Sequence, residues 1–153
     1  MTGYKKYRQL ISDPVIGDCF RACMATLLQL PPEILPNDHS PHWWFTWRDF
    51  LSQFGLELTT GGSKDAIWCS TPWIASVPSL NYETEYHAIL MHMGGKVLHD
   101  PSTKKRYKTG IYIGSDIVRE GKHLVVADTQ KLHRLEEYRK ELNGSPFLTQ
   151  KKV

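Results

Sequence analysis

Apolar positions at helical spacing give the first readable element. Phe20, Cys23, Met24, Leu27 and Leu28 recur three and four apart within Cys19–Leu30, which predicts an amphipathic helix. Asp18 stands where an N-cap belongs, and Pro31-Pro32 forces the stop. A second stripe of Trp44, Trp47, Leu51 and Phe54 predicts a helix over Trp43–Phe54, terminated at Gly55. The period then falls to two. Leu56–Thr60 and Trp73–Val77 read as short strands, the first followed by a turn at Gly61-Gly-Ser63. His87–Met93 and Lys96–Asp100 flank Gly94-Gly95 and read as a hairpin with a two-residue turn. Further strands are expected over Tyr107–Ile113 and His123–Ala127. The last helix is expected over Thr129–Leu142, with Leu132, Leu135, Tyr138 and Leu142 inward and Gly144 as its end. Helices first, then mostly antiparallel strands, gives an α+β fold. With no repeat or linker, residues 1–144 read as one domain and 145–153 as a flexible tail.

The hairpin can be read one step further. A two-residue turn at Gly94-Gly95 pairs residues whose numbers sum to 189, so Asp100 opposes Ile89 and Ser102 opposes His87. Side chains alternate between faces, so His87, Ile89 and Asp100 share one side, with Asp100 the diagonal neighbour of His87. His92 and His99 fall on the other side, with Ala88, Leu90 and Val97.

Composition narrows the class. The chain has 153 residues, 41% hydrophobic and 23% charged, enough for a single core. The run Ala88-Ile-Leu-Met91 is far short of the ~20 residues that cross a bilayer, so no membrane partner is expected. The basic start Met1–Arg8 has no apolar segment behind it and does not read as a secretory signal. Nineteen basic against sixteen acidic residues, net +3, is too balanced to point to nucleic acid as a partner. The basic run Lys104–Lys108 reads as a solvated strand end. Three cysteines, an odd number without an export signal, suit thiols in a reducing cytoplasm rather than a disulfide framework.

One of those thiols stands in a chemically useful place. An unperturbed cysteine, pKa ~8.5, is mostly protonated at neutral pH, and a helix N-terminus or a neighbouring imidazolium favours its thiolate. Cys19 lies in a first helical turn, and the hairpin register supplies a histidine with a carboxylate. A thiol, an imidazole and an orienting carboxylate make a catalytic triad. Cys23, on the apolar stripe, and Cys69, beside Trp68, read as core residues.

These residues also carry a resemblance. A Cys opening a helix, a His opening a strand and an Asp ending the next strand follow the order of papain-like cysteine hydrolases. Gly17-Asp-Cys-Phe-Arg-Ala-Cys-Met-Ala-Thr-Leu-Leu-Gln-Leu-Pro31, His87-Ala-Ile-Leu90 and Val97-Leu-His-Asp-Pro101 resemble three motifs of a family of small phage and bacterial proteins. They are similar, more remotely, to peptidases that trim double-glycine leaders. The likeness runs from about Gln9 to Ser102. It implies a papain-like fold with Cys19 as nucleophile, His87 as general base and acid, and Asp100 as the orienting carboxylate. It also implies a protein or peptide substrate, a host protein in a phage setting. Papain-like enzymes place an oxyanion-hole Gln shortly before the cysteine. Asp13 stands at that position here, and Gln9 fits the Gln of the small family. No cofactor is called for.

Other readings stay open. Trp43 and Trp73 are candidates for lining a substrate groove. Cys19, Cys23, His39 and His42 offer zinc-type donors, but C-x-x-x-C inside a helix is a poor structural-zinc spacing, so no metal is expected. A domain that keeps the fold as a binding or inhibitor protein, or as a virion-associated one, is the alternative to an enzyme.

Overall fold

The computed structural model describes residues 5–11, 17–61, 71–82, 85–92, 95–104 and 106–144. The expectations for Asp13, Gly62–Ser63, Trp68, Cys69, Gly94 and the tail 145–153 lie outside the described residues. The elements are α1 (Cys19–Leu28), α2 (Trp43–Ser52), β1 (Leu56–Gly61), β2 (Trp73–Pro78), β3 (Tyr86–Met91), β4 (Val97–His99), β5 (Glu120–Val126) and α3 (His133–Gly144), with 3-10 turns at Pro32–Ile34 and Thr129–Lys131. The fold class is α+β, with a cysteine-bearing N-terminal helix, a C-terminal helix and an antiparallel sheet ordered β1-β5-β2-β3-β4. No helix among the described residues is long and apolar enough to cross a membrane.

The three helices of the described residues pack on one face of the sheet. Cys23, Met24 and Leu28 of α1, Trp47 and Leu51 of α2, and Leu135 of α3 bury against Leu58, Ile74, Ala88 and Leu90. The helix stripes are the ones that the spacing predicts. Leu132 is the exception; it stays 38% exposed, because α3 begins only after it. α1 also ends two residues early: Gln29 turns into the left-handed region (φ 54°), and Arg139 of α3 donates to the freed Leu28 carbonyl at 3.0 Å.

The opposite face holds Trp73, Ala75, Val77, Ile89, Met91 and Val97 beneath Ile113 and Val118, with Tyr107 packed alongside. No strand forms over 107–113. That segment bonds irregularly to Val97 and Gly95 around Gly110, whose φ is +89°. It follows the outer edge of β4 through a single antiparallel bridge, Lys96 with Tyr112, and lays Ile113 over this face of the sheet. β5 starts three residues before the expected position and lies between β1 and β2, pairing Leu58 with Leu124 and Ile74 with Lys122.

The hairpin corrects the two-residue turn. His92 N–H donates to the Lys96 carbonyl at 2.7 Å and Met91 pairs with Val97, both summing to 188. A bulge then restores the pairing of Leu90 with His99, which sums to 189. Val97 is thereby moved to the face of Ile89 and Met91, away from the side expected for it.

Candidate active site

Cys19 heads α1, where the first-turn N–H groups have no intrahelical acceptor and carry partial positive charge. Its Sγ also accepts the Ala88 N–H at 3.5 Å, which docks the helix start onto the opening of β3. The preceding residue in that strand is His87. Its Nε2 lies 2.6 Å from Asp100 Oδ1, and Cys19 is close enough to its ring to favour the protonated form. The structure therefore brings together the three residues singled out from helix position and strand register.

Asp100 is buried and rigidly held. Besides His87, its oxygens accept the N–H of Ser102 at 2.9 Å and of Tyr107 at 2.7 Å. Burial pulls the His87 pKa down, but the bond to Asp100 and the neighbouring Cys19 outweigh it and push the value up to about 9. The imidazolium form is thus the resting one at neutral pH. Cys23, fully buried one turn on from Cys19, has its thiol pushed up by burial and belongs to the core.

Gln9 reaches the site through a segment with no periodicity of its own. Residues 5–11 run between α1 and the end of the hairpin. Tyr7 N–H donates to Thr26 Oγ1 at 2.9 Å, Gln9 N–H to the Pro101 carbonyl at 2.8 Å, and His99 Nε2 donates to the Tyr7 carbonyl at 2.6 Å. His99, on the side of the hairpin away from His87, thus anchors this segment; burial, then Lys6, pulls its pKa down. Asp18 completes the clamp. Its carboxylate accepts the N–H of Leu10 and of Ile11 and pairs with Arg21 at 2.8 Å, so it makes no side-chain cap on α1. The Gln9 amide lines the same groove as Cys19 and donates to the Ile11 carbonyl at 3.0 Å.

The groove encloses about 420 Å³ above Cys19 and His87. Trp43 lines it, edge-on to Phe20 at 5.8 Å. Trp73 does not. It is fully buried under the other face of the sheet, so its expected groove role is corrected to a core role. Two lining groups went unnoticed in the sequence. Lys122 pairs with Glu120 and lies 5.7 Å from the Trp43 ring centroid. Extending β5 backward from Leu124 by two would have placed it on that face. Asp38, at the loop before α2, is pushed down to about 2 by hydrogen bonds from Ser40 and Thr46. Among the described residues no group of three or more potential metal ligands clusters. No family model, curated protein or solved structure matches the chain.

Proposed function

We propose that this chain is a papain-like cysteine hydrolase acting on an amide, isopeptide or thioester carbonyl of a protein or peptide, in a reducing cytoplasm. The observation that carries the reading is the 2.6 Å contact between His87 Nε2 and Asp100 Oδ1, beside a helix-start cysteine in an open groove. The Cys19 thiolate attacks the carbonyl carbon, forming the C–S bond, and the carbonyl electron pair moves to oxygen. Gln9 and the Cys19 N–H are the donors for that oxyanion. As the tetrahedral adduct collapses, His87 gives its proton to the leaving amine. It then takes a proton from the water that attacks the acyl-enzyme, releasing the acid and restoring the pair.

The test needs no substrate. The alkylation rate of each cysteine is followed against pH by mass spectrometry, in wild type and His87→Ala. Reaction of Cys19 well below the ~8.5 of a free thiol, lost in His87→Ala, supports the pair. An ordinary thiol profile in both proteins sinks it.

A second reading, a groove that binds a partner without turnover, draws on the Gln9 amide being tied to Ile11. In a pull-down, a partner retained equally by wild type and Cys19→Ala, and never modified, favours binding. A partner trapped only by Cys19→Ala favours the enzyme.

A further inference from the structure

Within segment 5–11 the odd and even residues serve opposite sides: Tyr7 packs against the helix-side core and Gln9 lines the groove, whereas Lys6 and Arg8 line a second concavity. There they meet Arg106 and Lys108, about a hundred residues later in the chain. The four line a concavity of about 410 Å³ with His99, Tyr107 and Thr109. Arg8 Nη1 is fixed on the Ser102 carbonyl at 2.9 Å.

Charge balance sets this concavity apart from ordinary solvated lysines. None of the four cations is in an ion pair among the described residues. Among the described residues the one acidic residue lining it is Asp100, whose oxygens already accept three N–H groups and whose charge faces the His87 imidazolium. Four like charges converging without counter-charges repel one another, and a polyanion relieves that repulsion. A net charge of +3 over the whole chain conceals the concentration, because two of the cations come from one terminus and two from the 104–108 run.

We propose that this concavity binds a chain of phosphate groups, with Lys6, Arg8, Arg106 and Lys108 as its phosphate contacts. Arg8 and Arg106 offer forked donors suited to phosphate oxygens, and Lys6 and Lys108 act as point charges. The chain of phosphates is either a nucleic-acid backbone or a free oligophosphate. The site does not depend on the chemistry of Cys19.

Two probes separate the sources: tripolyphosphate followed by calorimetry, and a labelled oligothymidylate followed by fluorescence anisotropy. Arg106→Ala/Lys108→Ala, with both side chains exposed, is expected to weaken binding about tenfold or more. For the oligonucleotide, the slope of log affinity against log salt should fall from about −3 to about −1.5, four contacts becoming two. Lys6→Ala, on the other segment, should give a smaller loss. Arg134→Ala/Lys140→Ala removes the same charge from exposed positions of α3 and should leave binding unchanged. Oligonucleotide binding displaced by tripolyphosphate identifies the backbone as the source; tripolyphosphate binding alone identifies a free oligophosphate. Binding of neither probe at low salt overturns the proposal. So does equal loss in the two double variants, or none in Arg106→Ala/Lys108→Ala.

Discussion

The Asp18 carboxylate accepts the Ile11 N–H at 2.9 Å, across a gap of seven residues in the chain. The residue next to Cys19 thus fixes the segment that carries Gln9, and Arg21 pairs with that buried carboxylate. Asp18→Asn keeps an oxygen but leaves Arg21 unpaired. A loss of about 2–3 kcal/mol is expected, read as a lower thermal midpoint. Under the proposed function, kcat should fall while the Cys19 alkylation profile holds, because the donor wall moves and the Cys19–His87 pair does not. An altered alkylation profile with unchanged kcat would contradict this division of roles.

His87 links pH to stability. Its folded value of about 9 lies above its ordinary 6.5, so the folded state binds the proton more tightly than the unfolded chain. That stabilisation is complete below about pH 6.5 and is lost as pH rises through 9. Wild type should therefore lose thermal midpoint over this window, at about 2–4 °C per kcal/mol, and His87→Gln should flatten that decline. Parallel curves for the two proteins would count against the raised value.

The two tryptophans first considered for the groove should part company. Trp73→Ala empties a fully buried site and should cost about 3–5 kcal/mol. Trp43→Ala removes a half-buried ring from the groove wall and should cost less stability while raising KM for a groove-bound substrate. Denaturant unfolding of both variants checks the order, and a larger loss for Trp43→Ala would overturn it.

Gly55 joins α2 to β1 with φ +70° and packs against the backbone ahead of α3. A Cβ there would stand 2.1 Å from the Asp128 carbonyl oxygen. The Gly55 carbonyl also accepts the N–H groups of Ala127 and Asp128. Gly55→Ala should destabilise by about 2 kcal/mol or more, from the strained φ and the displaced backbone together. A midpoint within a degree or so of wild type would refute the close approach.

The meeting of Cys19, His87 and Asp100 is legible in the sequence because its signals are local. Cys19 follows from helix periodicity and Asp100 from the pairing of one hairpin. Two departures from the expected hairpin cancel. The loop is one residue longer than a two-residue turn, and the bulge adds one residue back, so the register at His87 and Asp100 is the expected one. Val97 lies between the two departures and turns to the other face for that reason. Trp73 differs from its expected groove role because strand alternation says which residues share a face but not what covers it. Nothing near Trp73 announces that Ile113 and Val118 will. The 5–11 segment carries no apolar rhythm, since side chains of Thr26, Asp18 and His99 hold its backbone. Only the assembled structure reveals it.

The placement of β5 has a consequence for the order of synthesis. β1 and β2 emerge from the ribosome well before their shared neighbour, and Leu56 must wait for Val126 to be made. Until then both strands present open edges that invite pairing with another chain. Folding of the sheet is therefore a late, long-range event, slow by contact order. A nascent chain stalled before Glu120 would hold Cys19, His87 and Asp100 without the strand that joins the two halves of the sheet.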